Sequence, residues 1–177
     1  MELTKYVACI CEGAAEQAII ELLLDENKLI FNYGDLLDGE VLRCRSAKNF
    51  EGQHLRKGFT EKITVLRILD SHREPFKLSK AYSHKIEVIN VVTAPEIEML
   101  VILNENKYDE FVRSNIKKPS EFCKMILKYN NVKSREFIKE YFSKIDSLIL
   151  AILEHKRVSK IQRGEYTLAD LLESKNK

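Results

Sequence analysis

At 177 residues, 45% of them hydrophobic and 32% charged, the chain has the length of one domain and enough apolar material for a real core, which excludes an intrinsically disordered protein. No apolar run approaches the roughly 20 residues that cross a bilayer, and Met1-Glu2-Leu3-Thr4-Lys5 lacks the basic start and long apolar run of a signal peptide, so a cytoplasmic protein with no membrane partner is expected. The net charge of +2 hides an asymmetry: residues 1 to 40 carry two lysines against nine acids, whereas Arg113 to Arg163 carries thirteen basic residues against five acidic ones. Such a basic stretch suits a surface that meets phosphate, and equally suits lysines that merely solvate helix faces.

Tyr6-Val7-Ala8-Cys9-Ile10-Cys11 is an apolar run of strand length, and Gly13 separates it from a helical pattern through about Leu24. Glu12 therefore sits where a buried strand delivers its carboxyl end to solvent. Gly13 is expected to let the backbone turn tightly, and Glu16 falls one helical turn beyond Glu12, so that both carboxylates face one small volume. The alternative is a solvated loop acid at Glu12 and a favourable helix-start charge at Glu16. Cys9, Cys11, Cys44 and Cys123 form no CxxC and no zinc spacing, and read as reduced residues, Cys9 and Cys11 on one strand face.

Residues 29 to 33 and 41 to 44 are short apolar segments divided by glycines, and their pattern does not decide whether they are strands. Asn49 to Gly58 reads as a short polar helix. The second clear strand, Lys62 to Leu69, ends at Asp70, which repeats the placement of Glu12; Asp70 with Ser71 also has the composition of an ordinary turn. A third run, Ile86 to Val92, leads through Thr93-Ala94-Pro95-Glu96 to Glu98 and a helical stretch ending near Asn104. Thr93 and Glu96 have capping-box spacing, which makes Glu96 a cap and leaves Glu98, set among Ile97, Met99 and Leu100, without that explanation. Strands that reach acidic loops with helices between them predict an α/β fold: a small parallel sheet flanked by helices, over residues 1 to 104.

From residue 105 to 177 the pattern is helical, an extension expected to pack on the sheet domain. Helices are predicted over Tyr108 to Ser114, Pro119 to Tyr129, Ser134 to about Arg157, and from Thr167. The long one carries a wide apolar stripe, including Phe137, Ile138, Phe142, Ile145, Ile149 and Ile152, of the kind that docks on a core or on a partner.

Cys11-Glu12-Gly13-x-x-Glu16 at the end of the first strand, Asp70 at the end of a later one, and Pro95-x-x-Glu98 at a helix start together resemble the Toprim fold, most closely the Toprim-like nucleases of the OLD and RloB type. The likeness covers about residues 5 to 104. It implies a Rossmann-type parallel domain that holds Mg²⁺ or Mn²⁺ on acidic loops and cuts phosphodiesters, with Glu12, Glu16, Asp70 and Glu98 as metal ligands and Glu12, Asp70 and His72 at the chemistry. His72 stands where the family's Asp-x-Asp pair would have its second carboxylate, and imidazole is a poorer ligand for Mg²⁺ than for Mn²⁺. Either a metal is lost or altered, or His72 acts as acid or base, or the site is degenerate. Lys117, Lys118, Lys124 and Lys128 would hold the backbone of DNA or RNA without reading sequence. The resemblance also suggests a role in defence against phage or mobile DNA. Two further readings compete with the nuclease: a non-catalytic nucleic-acid-binding or regulatory module that kept the fold, and an interaction protein whose helix from Ser134 docks on a second copy or on an ATPase, since the chain has no phosphate loop of its own.

Overall fold

Three apolar runs become the long strands of a computed structural model that describes residues 1–55, 61–70 and 75–174. They are β1 (Tyr6–Cys11), β3 (Ile63–Leu69) and β4 (Ile86–Val92), with a short β2 (Leu42–Arg43) at one edge, in the order β2-β1-β3-β4 and all parallel. β3 is buried along its whole length, as a strand covered on both faces must be. The molecule is thus an α/β protein with a four-stranded parallel sheet flanked by helices. Of the two undecided segments, 41–44 supplies β2, whereas Leu29 makes only an isolated antiparallel bridge to Leu172.

Helix α1 (Ala14–Asp25) joins β1 to β2, and α2 (Ala47–His54) lies between β2 and β3. α2 begins earlier than its composition suggests because the Ser46 hydroxyl accepts from the Asn49 amide at 3.2 Å; Gly58, the expected stop, lies outside the described residues. After β4 come α3 (Met99–Asn104), α4 (Tyr108–Arg113), α5 (Pro119–Met125), α6 (Arg135–Tyr141), α7 (Ile145–Val158) and α8 (Leu168–Leu171).

Two apolar clusters flank the sheet. The larger joins Val7, Cys9 and Cys11 of β1 and Leu66 and Ile68 of β3 to α1, α3 and the helices beyond, so residues from both sides of position 104 share one core. The smaller lies on the other face, where Ala8, Ile10, Ile63 and Val65 meet Phe50 and Leu55. Period-two alternation along β1 and β3 produces this division. All four cysteines are free thiols, and Cys9, Cys11 and Cys123 are buried.

The helix predicted from Ser134 to Arg157 is two helices. Its start holds, with Ser134 capping Phe137 at 3.1 Å, but the chain is extended at Lys144, and α6 packs on α1 while α7 packs on α3 and α8. One straight rod could not serve both surfaces. The apolar stripe is accordingly spent inside the molecule: Ile138, Phe142, Leu148 and Ile152 are at most 1% exposed. The C-terminal segment also closes the sheet edge, with the Val92 amide donating to the Tyr166 carbonyl at 2.7 Å and the Tyr166 amide to the Asn90 carbonyl at 3.1 Å. Among the described residues no helix is long and apolar enough to cross a membrane.

Candidate functional site

The chain leaves β1 to form β2 on one side and returns to form β3 on the other, so the connections diverge between β1 and β3. In open parallel sheets the crevice beyond the carboxyl ends at such a point is where ligands bind. Glu12 follows the last residue of β1 and Asp70 the last of β3, and the two strands are paired in register up to Cys11 and Ile68. Both acids line a cleft of about 170 Å³, together with Glu16 from α1, Glu98 from the start of α3, Arg45 from the β2–α2 connection and Lys133 from the α5–α6 connection.

Local structure explains each placement. Gly13 is the N-cap of α1, with φ −119° and ψ 172°, an extended backbone open to any residue. The glycine serves space and not the turn that its position suggested: a Cβ here would meet Glu16 Oε2, the movable end of a side chain that folds back over the helix start, and would displace it. Thr93 ties the end of β4 to the end of β3, its amide and hydroxyl both donating to the Leu69 carbonyl at 2.7 and 2.9 Å. That staple brings the loop leading to Glu98 alongside Asp70. It also corrects the expected capping box, because α3 starts only at Met99 with Glu98 as its N-cap residue, and Thr93 is occupied with β3. Glu96 instead accepts from the Ser120 amide and from Lys133 Nζ, each at 2.9 Å.

The carboxylates crowd one another. Glu98 is 3% exposed, and burial, reinforced by the charges of Glu96 and Glu16, pushes its pKa up to about 7 against the pull of Lys133. Burial also raises Glu16, with Asp70 adding to the effect and Lys133 and Arg43 opposing it. Glu96 is partly buried, which alone would raise it, yet its hydrogen bonds to Lys133 and Ser120 hold it below the ordinary carboxylate range. Lys133 is raised in turn by Glu96 and Glu98, over an opposing desolvation. Beneath Glu12 lies Arg67, with Nη2 3.9 Å from Glu12 Oε1.

Of the residues expected at the site, Glu12, Glu16, Asp70 and Glu98 come together on the cleft. His72 lies outside the described residues. Lys117, Lys118, Lys124 and Lys128 do not line the cleft; they are exposed on and beside α5, where Lys118 pairs with Glu121 at 3.7 Å and Lys128 Nζ donates to the Met125 carbonyl at 2.8 Å. The Ser120–Glu96 hydrogen bond links the start of α5 to the neighbourhood of the cleft. Arg45 and Lys133 escaped the sequence reading, and Glu96 was expected only as a helix cap. Lys133 lies within the basic stretch, but nothing in its local spacing sets it apart from its neighbours.

The donor chemistry suits a hard divalent cation, since four carboxylates face one small volume. No three histidine, cysteine or acidic side chains among the described residues converge closely enough to hold a metal ion. Comparison of the chain with family models, with curated proteins and with solved structures finds no match.

Proposed function

We propose that this protein is a divalent-metal-dependent nuclease of Toprim type that hydrolyses phosphodiesters of DNA or RNA. The observation that carries this reading is the arrival of four carboxylates, from the ends of two parallel strands and the starts of two helices, in one cleft at the divergence point of the sheet. A Mg²⁺ or Mn²⁺ ion there would supply Lewis-acid polarisation of the phosphate and a more acidic bound water. Glu12 and Asp70, set on the rigid strand ends, would be its first ligands, with Glu16 and Glu98 completing or orienting the set. Arg45 and Lys133, on the cleft wall, would take the charge of the phosphate, and the exposed lysines around α5 would hold the flanking backbone. A role in defence against phage or mobile DNA, and an ATPase partner or a second copy, belong to the same proposal and rest on the resemblance.

The test is cleavage of labelled single- and double-stranded DNA and RNA with Mg²⁺, with Mn²⁺ and with chelator, by wild type and by Glu12→Gln and Asp70→Asn. Metal-dependent cutting that both substitutions abolish is the expected result. One observation favours a second reading, a non-catalytic nucleic-acid-binding module: the described carboxylates form no ready-made cage. That reading predicts binding without metal, weakened steeply by salt, and no cutting under any condition.

A further inference from the structure

Arg67 stands in the middle of β3 yet is only 2% exposed, and it is the only lysine or arginine so fully enclosed among the described residues. Its Cα pairs with Ile10 on one side and Asn90 on the other, which places the side chain on the sheet face that carries Ile10, Ile63 and Val65. On that face Ile10, Ile63 and Val65 are apolar neighbours, and Asn90 lies directly alongside as a polar one. A guanidinium persists in such a place only beside a compensating charge.

Its head group is bracketed. Nη2 lies 3.9 Å from Glu12 Oε1, with the two side chains 3% and 12% exposed, and Cζ lies 4.7 Å from the centre of the Phe76 ring. Phe76 itself rests against the fully buried Phe50, with ring centres 6.0 Å apart. The arginine therefore cannot swing away from Glu12 without disturbing the apolar cluster behind it. We propose that Arg67 is a positioning residue, which holds the Glu12 carboxylate at the end of β1 from within the sheet so that its orientation toward the cleft is set before any ligand arrives. The consequence for metal uptake rests on the reading of the cleft given above. Groups that orient metal ligands from behind are worth about 10- to 100-fold in metal affinity.

The experiment combines Mn²⁺ calorimetry with metal-free thermal unfolding on wild type, Glu12→Gln, Arg67→Met, Arg67→Lys and the Glu12→Gln/Arg67→Met double variant. Arg67→Met is expected to weaken Mn²⁺ binding by about 10- to 100-fold, and Arg67→Lys to recover part of that loss because it keeps the charge without the planar fork. In metal-free unfolding the double variant is expected to lose less stability than the two single losses summed, since Glu12→Gln removes the charge that Arg67 faces. Additive losses of stability overturn the pairing, and unchanged Mn²⁺ affinity in a folded Arg67→Met overturns the positioning role. Should Arg67→Met fail to fold, Arg67→Lys carries both measurements, and Mn²⁺ affinity equal to wild type then counts against the proposal. A wild type that takes up no Mn²⁺ overturns the metal reading of the cleft, and the metal-free cycle then decides by itself whether Arg67 holds Glu12.

Discussion

The surroundings of Glu98 disfavour its charged form strongly. With its pKa raised from 4.5 to about 7, the folded state holds the proton more tightly than the unfolded chain, so the contribution of Glu98 to stability is full below about 4.5 and is lost as pH rises through about 7. Glutamine mimics the protonated acid. Glu98→Gln should therefore be more stable than wild type above about pH 7, by on the order of 2–3 kcal/mol at most, with the gap closing towards pH 4.5 in urea titrations across that range. If Glu98 also faces a metal, Mn²⁺ affinity of the wild type should fall as pH drops below about 7, because the ion competes with the proton, and this pH dependence should flatten in Glu98→Gln. Gly13 supports a second prediction at this scale. Its backbone suits alanine, and the group that an alanine Cβ meets is the movable end of Glu16, so Gly13→Ala should change stability by under about 1 kcal/mol while displacing the Glu16 carboxylate. Metal affinity or cleavage should then drop by about tenfold or more with the melting temperature nearly intact. A normal activity in a normally stable Gly13→Ala would remove Glu16 from the site.

At the scale of elements, the break between α6 and α7 decides what the long apolar stripe is for. Phe142 sits at that break, 1% exposed and in edge contact with Tyr141 at 4.8 Å between ring centres. A stripe meant for a partner would leave such a ring on the surface. Phe142→Ala should thus cost about 3–5 kcal/mol in denaturant unfolding, as expected for emptying a core position, and sedimentation should show no change in oligomeric state for the fraction that remains folded. Loss of an oligomer with stability unchanged would restore the docking reading. The same scale governs the β4–α3 connection, where the Thr93 bonds to Leu69, the Glu96 bonds to Ser120 and Lys133, and the contact of His155 Nε2 with the Ala94 carbonyl at 3.3 Å fix the segment from three directions. Glu98 reaches the cleft because its loop is tied at both ends.

For the molecule as a whole, the C-terminal helices finish the core. Leu168, Leu171 and Leu172 are each at most 1% exposed, and fully burying three such side chains is worth about 5–9 kcal/mol, on the order of a whole domain's stability. Tyr166 meanwhile satisfies backbone groups on the edge strand. Ending the chain after Ser159 should leave a protein without a cooperative unfolding transition by circular dichroism, and a truncated form that melts near the full-length temperature would show that the sheet domain stands alone. The charge asymmetry also acts at this scale, since the basic C-terminal stretch supplies Lys133 to a cleft whose carboxylates come from the first hundred residues.

Local pattern was enough for the strands and for the two acids at their ends. A buried parallel strand is a continuous apolar run bounded by turn residues, so Tyr6–Cys11, Ile63–Leu69 and Ile86–Val92 announce themselves, and Glu12 and Asp70 are simply the next residues along. Glu16 and Glu98 could be named for the same reason, each lying within a few residues of a strand end or a helix start. Arg45 and Lys133 could not, because what marks them is contact across the fold, and residue types as common as arginine and lysine carry no trace of it in their neighbours; the same kind of contact makes Glu96 a partner of Ser120 and Lys133 in place of the expected cap. The α6–α7 break was hidden too: helical periodicity continues through Phe142 and Ile145, and only the separate surfaces of α1 and α3 require the axis to change. By itself the sequence determined the three long strands, most of the core, and which acids stand at strand ends, since these follow from side-chain period and turn chemistry within a few residues; the short β2 it left open. The tertiary structure alone decided which distant charges share the cleft and where the long helix bends, because both depend on strand order and on packing between segments that lie far apart in the chain.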